Sequence, residues 1–172
     1  MTLPVKQSPD SVLREISRLV PLPDLGSPWV AKLIKEMSST LAACADGVAL
    51  AAPQIGELWR VFIVGERAFP KSENAKPWEH DLVFINPEIV RRSRKKAELI
   101  EGCLSVMNQF GTVKRHEQVT VEAYDLEGKK FTHHASGLMA QIFQHEIAHL
   151  DGGLFIDEAW DIHEVTPTDK HD

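Results

Sequence analysis

Gln144-His145-Glu146-Ile147-Ala148-His149 carries the most specific chemical signal in the chain. Ser136 precedes it as a helix N-cap. Leu138, Met139, Ile142 and Phe143 supply apolar positions on the way, and Gly152-Gly153 marks the exit. Residues four apart share a helical face, so the imidazoles of His145 and His149 can meet at one metal ion. Glu146 lies beside the first of them, within reach of a metal-bound water as a base. Two histidines that merely flank a glutamate produce the same short pattern. A catalytic metal also needs a third protein ligand and an open position. The metzincin continuation would place a histidine where this chain has Phe155. Glu158 and Glu164 are available further on, with no evident element to fix them.

Working outward, Ser27-Pro28 starts an earlier helix, with Ser27 as N-cap. Val30, Leu33, Ile34, Met37 and Leu41 form its apolar stripe, and Asp46-Gly47 reads as its exit. Residues 59–64 and 82–85 are β-prone, and the polar stretch 66–81, with Pro70 and Pro77, predicts an exposed loop. Residues 88–100 predict two short strands around Arg91, Arg92, Arg94, Lys95 and Lys96. Residues 118–124 alternate, with Val119, Val121 and Ala123 on one face, and 130–134 pair back after a turn at Leu126-Glu127-Gly128. Helix, strands, helix is an α+β order: antiparallel strands packed around a central metal-binding helix. A single domain over residues 1–172 is expected, with a frayed tail from about 161.

Composition limits the partners. The chain has 172 residues, 43% hydrophobic and 26% charged, as in soluble globular proteins. A net charge of -6 argues against a general nucleic-acid binder and against specific DNA binding. No apolar run approaches the roughly 20 residues that span a bilayer, and residues 1–10 lack the apolar core of a secretory signal. Two cysteines, Cys44 and Cys103, rule out a disulfide scaffold, and the cytoplasm is the expected compartment.

Cys103 lies in Glu101-Gly102-Cys103-Leu104-Ser105. It is the better third ligand, since a metal-bound thiol ionises outright. Taken alone, a buried core cysteine is the commoner reading of such a residue. Cys44, near the end of the first helix, reads as core. Residues 47–56 are small and apolar with one amide side chain, Gln54, and lack the third glycine and the preceding strand of a dinucleotide fingerprint. Gln54 can donate to an anionic oxygen, or be an ordinary loop glutamine.

In order, residues 47–54, 101–105 and 144–149 resemble the Gly-x-Gly-φ-Ala-Ala-x-Gln, Glu-Gly-Cys-φ-Ser and Gln-His-Glu-x-x-His signatures of the peptide deformylases. The resemblance covers roughly residues 10–160. It implies a metal-dependent hydrolase that removes the N-formyl group from the N-terminal methionine of new polypeptides, acting on N-formylmethionyl peptides. Fe²⁺ is the implied metal, with Zn²⁺ or Ni²⁺ able to replace it. By resemblance, Cys103, His145 and His149 bind the ion, with water in the fourth position. Glu146 accepts the proton of that water and passes it to the leaving amine. The metal, Gln54 and the backbone N–H of Leu104 hold the oxyanion. Gly47, Val48, Ala49, Leu99, Glu101, Gly102 and Leu138 are the implied substrate-binding residues.

Three positions depart from the pattern. Ala49 replaces the second glycine of the first signature. Ala148 stands where many members have aspartate. Phe110 stands near where many carry a peptide-binding arginine, leaving Arg115 as a nearby cation. These bear on substrate preference and rate, while the hydrolytic residues are all present. The resemblance also implies transient ribosome association, but only twelve residues follow Trp160, without the long docking helix of many bacterial members. The cluster at 91–96 is then an alternative contact for ribosomal RNA, a solvated hairpin being the usual explanation. The competing readings are a zinc metallopeptidase with another third ligand, and a deformylase-like domain that binds peptides without turnover.

Overall fold

Pro28, with its preset φ, opens α1 (Pro28–Ala43) in the computed structural model, which describes residues 1–69 and 81–165. The expected stripe is the buried face: none of Val30, Leu33, Ile34, Met37 and Leu41 is more than 5% exposed. Ser27 occupies the N-cap position, but its hydroxyl makes no cap bond and is buried without a partner among the described residues.

The strands are β1 (Ala49–Ala51), β2 (Val61–Val64), β3 (Leu82–Arg92), β4 (Lys96–Cys103), β5 (Val106–His116), β6 (Gln118–Tyr124) and β7 (Lys130–Ser136). Helix α2 (Gly137–Leu150) and strand β8 (Trp160–Glu164) follow. Two antiparallel sheets result, ordered β1-β2-β3-β6-β7 and β4-β5-β8. The α+β expectation is met, with α2 against the larger sheet.

Strand β2 explains how the helices are held. All four residues are buried because both faces of the sheet are covered there. Phe62 and Val64 join Phe143, Ile147 and Leu150 of α2 in one apolar cluster. Val61 and Ile63 join Leu33, Ile34 and Met37 of α1 in another. Phe62 stacks on Phe84 at 4.6 Å, and Phe143 meets Phe84 edge-on at 4.8 Å. Each such ring contributes about 1.5–3 kcal/mol by burial, so α2 is anchored rigidly behind its histidines. Gly152 ends it at φ +77°, where a Cβ would lie 2.6 Å from the Arg14 carbonyl oxygen.

Two local expectations are corrected. Strands β3 and β4 do not form a hairpin around the basic cluster: β3 pairs with β2 and β6, and β4 pairs with β5. The cluster sits where the chain crosses between sheets. Residues 161–164 are not frayed, because β8 pairs with the outer edge of β5. All five of its residues are exposed, so no apolar alternation announced it. Of the expected loop over 66–81, residues 70–80 lie outside the described residues, as do 166–172.

Candidate metal centre and cleft

Helix α2 stacks His145 and His149 one turn apart, with ring centroids 4.9 Å from each other. The third group arrives on the other sheet. Strand β4 ends at Cys103, and the two-residue turn Leu104-Ser105 sends the chain into β5. One potential ligand atom from each of Cys103, His145 and His149 lies within 4.8 Å of the others. Cys103 Sγ is 3.2 Å from His149 Nε2. Thiolate and imidazole ligands on one tetrahedral ion stand about 3.3–3.6 Å apart, close to this spacing, so the donor set is of the kind that holds such an ion. Glu158 and Glu164 do not approach: the first is an exposed partner of Arg115 at 3.5 Å, and the second lies on exposed β8.

His145 is oriented from behind. Its Nδ1 is 2.9 Å from Glu101 Oε2, which leaves Nε2 for the centre. Glu101 in turn accepts 2.8 Å bonds from Arg115 Nε and Nη2. Burial alone would raise the pKa of Glu101, but the hydrogen bonds from Arg115 and His145 outweigh it and hold it at about 2. Burial opposes charge on His145 too, yet bonds to Cys103 and Glu101 raise its pKa well above the ordinary value. Burial takes His149 well below it.

Glu146 is 4% exposed, and its Oε2 has no hydrogen-bond partner among the described residues. Burial raises its pKa to about 7, with the His145 charge opposing and the Glu101 charge adding. A carboxylate with that affinity can accept a proton and return it near neutral pH.

Gln54 reaches the centre from a short 3₁₀ turn, Ala52–Ile55. Its Oε1 accepts the Ala51 N–H at 2.9 Å, which orients the amide. Its Nε2 then donates to Ser105 Oγ at 3.1 Å and lies 3.5 Å from Cys103 Sγ. The N-terminal segment braces the same turn: Gln7 Nε2 donates to the Leu104 carbonyl, and the Ser8 N–H to that of Ser105, both at 2.8 Å. Sequence reasoning missed Ser105, Gln7 and the Arg115–Glu101 pair as supports. The Ser of the second signature was the one available signal.

A cavity of about 560 Å³ opens over this centre. Gly47, Val48, Ala49, Gln54, Glu101, Gly102, Cys103, Leu104, Leu138, His145 and Glu146 all line it, while His149 is buried behind. Leu99 is a correction. It pairs with Val113, and its neighbour Ile100, 67% exposed, borders the cavity instead, because alternate strand residues face opposite ways. Glu101 is also corrected: its carboxylate is committed to Arg115 and His145 rather than free for a substrate. Arg115 is correspondingly not a free cation for peptide. Cys44 is a half-buried cavity residue, not core. Phe110 pairs with Gly102, where a Cβ would stand 2.7 Å from the ring, so the glycine makes room for the phenyl wall.

The profile of the polypeptide deformylase family matches residues 2–164. A peptide deformylase of Desulforudis audaxviator is 40% identical over 159 residues, covering 92% of this chain and 94% of that protein. Peptide deformylase 1A of Arabidopsis thaliana, chloroplastic/mitochondrial, is 42% identical over 159 residues, covering 88% of this chain; the chain spans 59% of that longer plant protein. Among solved structures, the actinonin-bound class I type b enzyme of Acinetobacter baumannii superposes with a TM-score of 0.82 at 35% identity, covering 93% of this chain and 99% of that one. The same enzyme bound to Met-Ala-Ser gives 0.82 at 35% identity, covering 92% and 98%. Fold, site geometry and these similarities agree: the chain belongs to the polypeptide deformylase family.

Proposed function

We propose that Cys103, His145 and His149 hold a divalent metal ion, and that Glu146 moves the proton, in the deformylation of N-formylmethionyl peptides by this chain. The observation that carries this is the convergence of three ligand atoms within 4.8 Å beside the buried Glu146, whose Oε2 has no partner among the described residues, at the base of an open cleft. When bound, Fe²⁺, or Zn²⁺ or Ni²⁺ in its place, supplies an activated water and polarises the formyl oxygen.

The protein groups do the rest. Glu146 accepts the proton lost by the attacking water and delivers it to the amine nitrogen as the C–N bond breaks, giving formate and a free N-terminus. Gln54 Nε2 and the Leu104 N–H donate to the formyl oxygen as it gains charge, each donor supplying about 2.7–4 kcal/mol. Glu101, fixed by Arg115, keeps His145 turned toward the centre. Val48, Leu138 and Ile142 offer apolar surface for the methionine side chain. The Met-Ala-Ser complex of the Acinetobacter relative supports a peptide in this cleft. The reading places the enzyme in the cytoplasm, with nascent polypeptides as substrates.

The test is formate release from formyl-Met-Ala-Ser by protein loaded with Fe²⁺ without oxygen, since a metal thiolate is open to oxidation. Glu146→Gln is expected to keep the metal and lose turnover. Full activity in that variant would remove Glu146 from its role.

A further inference from the structure

Residues 91–96, Arg-Arg-Ser-Arg-Lys-Lys, hold five of the nineteen Lys and Arg of a chain whose net charge is -6. Nothing in the hydrolytic cleft uses them. Arg91 and Arg92 end β3, and Arg94 lies in the link to β4. Together with Thr120, His134 and Ser136 they line a second hollow, of about 610 Å³.

The link is fixed rather than loose. Ser93 Oγ donates to the Lys95 carbonyl at 2.8 Å and accepts the Gln118 N–H at 3.1 Å, and the Ser93 N–H donates to the Gln118 carbonyl at 2.9 Å. Lys95 is taken by Glu117 at 3.0 Å, and Glu122 by Lys130 at 2.6 Å. Among the described residues, none of the guanidinium groups of Arg91, Arg92 and Arg94 has an ion-pair partner, and all three residues are exposed. Three unneutralised guanidiniums within four residues of a pinned link make a local positive patch open to an anion. Their donor forks match phosphate oxygens.

The surroundings select the anion. Hydroxyls of Thr120 and Ser136 and the ring of His134, whose Nδ1 is 3.0 Å from Thr120 Oγ1, stand around the arginines. Such donors and acceptors suit phosphodiester and ribose 2′-OH groups better than a lipid interface, which calls for apolar side chains. Exposed guanidiniums spread along the chain fit successive phosphates better than one enclosed ion. We propose that this hollow binds the phosphate backbone of single-stranded RNA through Arg91, Arg92 and Arg94. The site is separate from the hydrolytic cleft and does not depend on the roles assigned there. Helix α2 links the two: Ser136 precedes its first turn and His145 lies nine residues on, ~14 Å along the axis.

The test is fluorescence anisotropy of a labelled 20-nucleotide mixed-sequence RNA with the full chain, between 50 and 250 mM KCl. Three phosphate contacts predict a slope of log K against log[salt] of about -2. R91Q/R92Q/R94Q should bind at least tenfold more weakly at the lowest salt, with a slope near zero, while hydrolysing a short formyl peptide as the parent does. R94Q alone should lower the slope by about 0.7. K32Q/K35Q/K129Q removes the same charge elsewhere on the surface and should stay within twofold of the parent. No RNA binding by the parent, or equal loss in both triple variants, would overturn the proposal. So would arginine-dependent binding to vesicles containing phosphatidylserine in the absence of RNA binding. Displacement of the RNA by inorganic phosphate at constant ionic strength would also overturn it, by reducing the site to a single-ion pocket.

Discussion

Arg115 grips Glu101 through two 2.8 Å hydrogen bonds, and both side chains are less than 10% exposed. One of the two gripped oxygens, Oε2, also holds His145. A buried pair of this kind is costly to halve. Arg115→Met leaves Glu101 buried without its cation and is expected to destabilise the fold by about 3–5 kcal/mol, read as the denaturation midpoint. Metal affinity should fall about 10–100-fold because His145 loses its fixed orientation. Arg115→Lys, which retains charge without the fork, should recover part of the stability. Wild-type stability and metal affinity in Arg115→Met would remove this pair from the account.

Gln54 is the side-chain donor beside the centre. Gln54→Ala should lower kcat by about 10²–10³ while KM for a formyl peptide changes little, since the lost bond strengthens only as the oxyanion forms. Steady-state kinetics separate the two constants. A change confined to KM would make Gln54 a ground-state contact.

Leu99 and Ile100 separate substrate contact from folding. Ile100→Ser, at the cavity border, should raise KM for formyl peptides and leave the denaturation midpoint nearly unchanged. Leu99→Ala, opposite Val113, should cost on the order of 1 kcal/mol of stability and leave KM alone. The reverse result would mean that β4 is shifted by one residue.

This pair also shows how far the sequence could be read. Strand β4 was foreseen, but its register was not, and a slip of one residue turns every side chain to the other face. Periodicity marked α1 and β6 because each has one apolar face, and the His145–His149 spacing marked the centre because a helix makes it local. The grip of Arg115 on Glu101, fourteen positions apart in the chain, depends on how β4 pairs with β5. No local pattern encodes that. Strand β8 was missed because its residues are all exposed, and the β3–β4 hairpin was wrongly expected because alternation does not name a strand's partner.

His133 gives a dependence on pH. It lies half-buried near Phe143 and Phe84, and burial, with the neighbouring charge of His134, lowers its pKa below 6.5. The unfolded chain therefore binds the proton more readily than the folded one. Stability contributed by neutral His133 is full above pH 6.5 and is lost as pH falls through the window below it. His133→Phe should flatten this part of the profile, measured as denaturation midpoints between pH 5 and 7.5. An unchanged profile would assign the dependence elsewhere.

X-ray absorption of the zinc-loaded protein addresses the centre most directly. The account predicts one sulfur at about 2.3 Å and two imidazole nitrogens at about 2.0–2.1 Å, with the sulfur shell lost in Cys103→Ser. A first shell of nitrogen and oxygen alone in the unaltered protein would contradict it.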